Sequence, residues 1–145
     1  MKQEAVQNHP EEWFFLHNFD LDRVFSTIRR ADYLVLFYIQ TQQESRPGAK
    51  LYLADLAAEM GVRVTELSKG VEKLQDQGYV RWLTDQEAGR TYVELTSKAV
   101  EMMAEERAFM TRCYARMQTE VGGQELRRTV DNLQKILQIF QQERR

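Results

Sequence analysis

Between Leu53 and Leu95 the chain runs two helix-length stretches, each stopped by a glycine, directly into two short alternating stretches joined by a polar turn. Few folds accept that order. Residues 54–60 place Leu56 and Met60 on one helical face, and Gly61 follows where helices commonly end in a left-handed residue. Residues 64–77 set Leu67, Val71 and Leu74 at the i, i+4, i+7 spacing of a buried helical face, and Gly78 follows. Residues 79–83 and 91–95 then alternate around the polar turn Asp85-Gln86-Glu87-Ala88-Gly89-Arg90, which is the signal of a β-hairpin. Two helices joined by a glycine turn and followed by a hairpin make a winged helix-turn-helix.

The flanking sequence extends this module on both sides. Residues 29–43 read as a helix with Tyr33, Leu36, Phe37 and Ile39-Gln40 around its inner face. Ser45-Arg46-Pro47-Gly48 breaks the chain, and Leu51-Tyr52-Leu53 is long enough only for an edge strand. Thr96-Ser97 offers an N-cap for a long helix over about 97–121. Gly122-Gly123 separates it from a last helix over about 124–142, striped by Leu126, Val130, Leu133, Ile136, Leu137 and Phe140. At the other end, Trp13, Phe14, Phe15, Leu16 and Phe19 leave residues 10–19 little polar face, so the segment must be buried in this chain or a partner. Residues 21–28 read as a short helical turn.

The expected fold is therefore mainly α with a small β-hairpin wing: a winged helix-turn-helix flanked by N- and C-terminal dimerisation helices. Its expected organisation is an N-terminal dimerisation segment at 1–28, a winged module at 29–96 and C-terminal dimerisation helices at 97–145. The terminal helices are too long to pack fully on so small a module, and a twin subunit is the economical cover for their apolar stripes.

Composition narrows the function classes. The chain has 145 residues, 43% of them hydrophobic and 29% charged, which is a globular balance. Its one cysteine, Cys113, excludes an internal disulfide and a multi-cysteine zinc site, and its two histidines are few for a metal or acid–base centre. The expectation is no metal, no cofactor and no enzymatic activity, because there is also no phosphate-cradling glycine loop and no nucleophile–base pairing that this fold would assemble. No apolar stretch approaches the roughly 18–20 residues of a membrane span, and the start of the chain has no apolar signal core. A reduced, cytoplasmic protein with no membrane partner is expected. A formal net charge of −2 excludes nucleic-acid binding by bulk charge alone, though not by a local basic patch.

At Leu53–Leu95 the sequence resembles the MarR family of bacterial transcriptional regulators. The residues that carry the resemblance are LADLAAEMGVRVTELSKGVEKLQDQGYVRW followed by DQEAGRTYVELT. They show an L-x-x-L-A-x-x-M-G opening, a second helix ending in L-x-x-x-G-Y-V, a polar wing with an arginine, and Leu95-Thr96 opening a long helix. The resemblance implies a homodimer, more often a repressor, that puts one recognition helix per subunit into successive major grooves of a near-palindromic double-stranded operator. It also implies a small aromatic effector or a response to thiol oxidation. Two features depart from the family pattern. Arg63 stands where the family has a Ser or Thr N-cap, so the cap is lost or moves to Thr65. The wing carries only Arg90, beside Asp85 and Glu87.

On that reading Thr65, Ser68 and Lys69 lie in the opening turns of the recognition helix, where base edges are met. Arg63 is placed to take a guanine or a phosphate, Lys73 to take the backbone, and Arg90 at the hairpin tip to enter the minor groove. Glu66 on the same helix either accepts from a cytosine amino group or caps the helix from its third position. Trp13, His17, Tyr33 and Phe37 are the candidate wall of an effector pocket, against the plainer reading of a hydrophobic core. Cys113, with Met103, Met110 and Met117 on nearly the same face, reads as a packed thiol or as a redox switch helped by Arg112 and Arg116. Residues 51–96 hold five basic and eight acidic side chains. That balance keeps a second function in view, a winged-helix protein–protein interaction module without specific DNA affinity.

Overall fold

The computed structural model describes His17 and residues 28–145. The expected burial of Trp13, Phe14, Phe15, Leu16 and Phe19, and all but Ile28 of the helical turn expected at 21–28, lie outside the described residues. Along the described chain run α1 (Arg30–Ser45), β1 (Leu51–Tyr52), α2 (Leu53–Met60), α3 (Val64–Asp76), β2 (Val80–Asp85), β3 (Arg90–Leu95), α4 (Ser97–Glu120) and α5 (Gly123–Glu143). The chain divides into two compact units, residues 1–103 and 104–145, with the boundary inside α4.

In the first unit the two helix stops form as the glycines demand. Gly61 has φ +70 and Gly78 has φ +84, a region costly for any residue with a Cβ. After α2, the amides of Gly61 and Val62 donate to the carbonyls of Ala58 and Ala57 at 3.2 and 3.0 Å. After α3, those of Gly78 and Tyr79 donate to Gln75 and Leu74, both at 2.9 Å. Both ends are Schellman motifs, which satisfy carbonyls the helix leaves orphaned and turn the chain sharply.

The sheet is antiparallel in the order β1-β3-β2, so the two-residue β1 is an edge, as its length suggested. The hairpin register runs from Val80 opposite Leu95 to Asp85 opposite Arg90. The wing is thus longer than the alternation at 79–83 and 91–95 predicts, because Thr84 and Asp85 continue the ladder. Thr96 ties the sheet to α4. Its amide donates to Tyr79 at 3.0 Å and its hydroxyl to the Gly78 carbonyl at 2.6 Å. The same oxygen receives the Ala99 amide at 3.3 Å, which makes Thr96 the cap of α4.

The core lies around α1, which packs against α2, α3, β1 and β3. Here the sequence reading needs correction. Tyr33, Leu36, Phe37 and Ile39 are fully buried, but so, or nearly so, are Val35, Tyr38, Thr41 and Gln42, while Gln40 is only half-buried. A helix covered on nearly every side carries no clean polar face, so its 3.6-residue period is weak. Leu56, Leu67, Val71, Leu74, Val80 and Val93 complete this core.

In the second unit, Leu126 of α5 is buried and Val130 and Leu133 are half-buried. The rest of the stripe is open: Ile136, Leu137 and Phe140 are 48%, 37% and 67% exposed.

Candidate nucleic-acid interface

The Gly61 turn delivers the chain into α3 at Arg63, which occupies the N-cap with an extended φ of −73 and ψ of 144 and gives no side-chain cap hydrogen bond. The cap is lost rather than transferred to Thr65. No side chain at the N-cap therefore accepts a first-turn amide of α3, where the helix dipole is positive. Leu67, Val71 and Leu74 bury the inner face of the helix. That leaves Arg63, Val64, Thr65, Glu66 and Lys69 exposed on its first two turns, with Ser68 half-buried beside them.

The far end of α3 is fastened from two sides. The Gln75 side chain accepts the Trp82 amide at 2.8 Å, and the Lys98 ammonium donates to the Gln77 carbonyl at 2.6 Å while lying 4.8 Å over the Tyr79 ring. A cation on the last carbonyls also suits the helix dipole. The helix is thus anchored at its C-terminal end and open at its first turns.

The predicted site residues do not share one state. Arg63 and Lys69 form no ion pair among the described residues, so both charges are available to an outside partner. The Ser68 hydroxyl donates back to the Val64 carbonyl at 2.8 Å, which commits its hydrogen and leaves only its lone pairs outward. Lys73 is engaged with Asp32 of α1 at 3.1 Å. The Asp32 side chain is only 14% exposed, so a phosphate that took the ammonium would leave a half-buried carboxylate without this partner.

Arg90 is placed differently from the expectation. It opens β3 opposite Asp85 instead of sitting at the tip, which is residues 86–89 and carries Glu87 as its one charge. Its guanidinium lies 4.1 Å over the Tyr52 ring and 3.2 Å from Asp55. The physical reason is the length of the hairpin: two further ladder rungs draw Arg90 down to α2, where a carboxylate and an aromatic face are waiting.

A polar cluster that sequence reasoning missed fixes the base of the wing. Asp85 accepts the Tyr52 hydroxyl at 2.8 Å and the Ala88 amide at 3.2 Å, and pairs with Lys50 at 3.2 Å. The Tyr52 hydroxyl first, and then the Ala88 amide, hold the Asp85 carboxyl below its usual range. The hydrogen bond to Asp85 raises both Lys50 and Tyr52. The signal available in the sequence was only an Asp at the end of a strand, a common turn-former.

For the candidate effector wall, Trp13 lies outside the described residues. His17 shares a 3.0 Å hydrogen bond with the Tyr38 hydroxyl. Tyr33 and Phe37 have no exposed surface, so both serve as core in this state. A groove of about 450 Å³ in the second unit is lined instead by Gln124, Arg127, Arg128, Asp131, Asn132 and Lys135. It is polar and shares no residue with the predicted wall. Cys113 is half-buried. Among the described residues no group of His, Cys, Asp and Glu could hold a metal ion, and no helix is long and apolar enough to cross a membrane.

No protein-family model and no curated protein sequence matches this chain. Solved structures do match its fold. MepR of Staphylococcus aureus in complex with DNA aligns over 97% of this chain and 88% of its own, at 16% identity and a TM-score of 0.57. The oxidised form of MarR from E. coli aligns over 91% of this chain and 90% of its own, at 17% identity and a TM-score of 0.60. A MarR protein from Peptoclostridium difficile aligns over 95% and 86%, at 16% identity and a TM-score of 0.57. With the glycine-stopped helix pair, the three-stranded sheet and the long closing helices in the same order, this chain has the winged helix-turn-helix fold of the MarR-type regulators.

Proposed function

We propose that the chain is a homodimeric, sequence-specific DNA-binding transcription regulator, acting as a repressor in the cytoplasm and without enzymatic activity. The observation that carries this reading is the exposed opening of α3, where Arg63 and Lys69 stand unpaired beside Thr65 on the helix that a winged helix-turn-helix inserts into the major groove. The fold match to MepR, which has been solved with DNA, adds to it. In the proposed complex Arg63 takes a guanine edge or a phosphate and Lys69 a phosphate, while Thr65, Ser68 and Glu66 face base edges. Lys73 and Arg90 join only if the DNA displaces Asp32 and Asp55. The second subunit covers Ile136, Leu137 and Phe140 of α5, and two-fold symmetry then demands a near-palindromic operator. A small aromatic effector, bound beside His17, biases the dimer between DNA-competent and incompetent spacings of its two recognition helices.

The test is fluorescence anisotropy of the full chain against its own upstream DNA and against a random duplex at two salt concentrations. Tight, salt-sensitive binding that survives competitor DNA is the expected result. Weak binding, equal on both duplexes, would sink the reading. Substituting Lys69→Ala should lower the slope of log K against log salt by roughly 0.9 per subunit, the share of one released counterion.

One observation favours a second reading, a protein–protein module. Of the four cations placed toward DNA, Lys73 and Arg90 are already neutralised within the fold, and the wing tip presents an acid. Binding that is weak on every duplex would select it.

A further inference from the structure

We infer that Val64 is a specificity-determining residue that reads the C5-methyl group of a thymine in the major groove. The inference rests on the DNA-binding reading above and names one base that reading leaves open. Val64 is the first residue of α3, and 46% of it is exposed. Single exposed apolar residues are ordinary on a protein surface. This one opens α3 directly after the free cation Arg63, at the head of the stripe that continues into the buried Leu67 and Val71, and it is exposed because it stands at the open end of the helix.

The polar neighbours sharpen the assignment. Ser68, the residue one turn on from Val64, has its hydroxyl hydrogen committed to the Val64 carbonyl at 2.8 Å. It therefore offers the groove no donor beside the isopropyl group. A helical side chain also leans toward the helix N-terminus, which carries Val64 toward Arg63 and the entry of the helix into the groove. What the first turn presents is a cationic fork next to an apolar knob. In the major groove only thymine among the four bases shows a methyl group, and apolar side chains recognise it by contact. Guanine offers the fork its two acceptors. The surface is thus complementary to a guanine with a thymine close by, in each half-site.

The experiment uses the full-length protein and an operator selected from a pool of random duplexes. Each thymine of the selected site is replaced singly by deoxyuridine, which removes the methyl group and leaves the hydrogen-bonding edge intact. One thymine per half-site should then lose about fourfold in affinity, the equivalent of about 0.8 kcal/mol for one buried methyl. Val64→Ala should bind the thymine and uracil duplexes equally at that position. The ratio within each variant is the readout, so a change in overall stability does not enter it. Thr65→Ser, which removes the other exposed methyl of the turn, should keep the discrimination. Uniform tolerance of uracil overturns the inference while leaving DNA binding intact, and so does discrimination lost in Thr65→Ser but kept in Val64→Ala. A pool that yields no enriched sequence overturns the DNA-binding reading itself, and this inference with it.

Discussion

Asp85 shows how much one side chain settles at the base of the wing. Its two oxygens collect the Tyr52 hydroxyl, the Ala88 amide and the Lys50 ammonium, so the last rung of the hairpin is tied to the edge strand and to its own turn. The carboxyl titrates below its usual value of 3.8 because its charged form accepts those hydrogen bonds. A depressed folded pKa contributes stability that is present above the unfolded value and lost as pH falls through the folded one. Thermal melts of Asp85→Asn should therefore begin lower than those of the parent at neutral pH. The gap should close as the solution is acidified below about pH 4. A gap constant from pH 7 to pH 2 would show that the charge of Asp85 is not what holds the wing. Lys50 acts with the opposite sign: its raised pKa keeps its contribution below the ordinary lysine value of 10.5 and loses it at more alkaline pH.

At the scale of elements, α3 is held by its buried face and its C-terminal end more than by its own propensity. It lacks a side-chain cap at Arg63, and it carries Gly70 in its interior. A Cβ at Gly70 would meet nothing within 4 Å, and the residue is helical. Gly70→Ala should therefore raise the unfolding free energy by about 0.5–1 kcal/mol, read from the urea midpoint at unchanged m-value. A loss of stability would mean that the position needs glycine for a reason outside the folded chain. Thr96 is the opposite case. Its hydroxyl both caps α4 and anchors the Gly78 turn that ends α3. Thr96→Val keeps the side-chain shape and removes both bonds, and the expected cost in the same titration is about 1–2 kcal/mol.

For the whole molecule the decisive feature is apolar surface that the single chain leaves open. Ile136, Leu137 and Phe140 follow one face of α5, and Phe140 is 67% exposed. The proposed dimer covers them, so Phe140→Glu should shift the sedimenting species from dimer to monomer at micromolar concentration. DNA affinity should fall with it, because two half-sites bound by one dimer become two independent events. A dimer that persists in Phe140→Glu would move the interface elsewhere. Net charge belongs to this scale too. With a total of −2, the proposed affinity for DNA would depend on where a few cations stand and not on their sum. The proposed dimer would have to hold its two α3 helices about 34 Å apart, one turn of DNA.

The sequence alone determined the elements, their order and most of their ends. Those follow from contacts between near neighbours: the period of Leu67, Val71 and Leu74, the left-handed turns at Gly61 and Gly78, and the hydroxyl of Thr96 before α4. The resemblance carried by the same residues also led to the right fold. What only the tertiary structure decided is which charges and apolar groups remain available. Lys73 meets Asp32 across 41 residues of chain, and Arg90 is drawn from the expected tip to Asp55 and the face of Tyr52 by two extra rungs of hairpin. α1 is buried on almost every side, which blurs the period that would have marked its faces. Val64 falls on the stripe of Leu67 and Val71 in the linear string, and only the structure leaves it 46% exposed, at the open end of the helix. Helix ends and periodicity are local and survive in a linear string. An ion pair or an exposed face depends on which distant segments fold back against it, and those distances exist only once the core has formed.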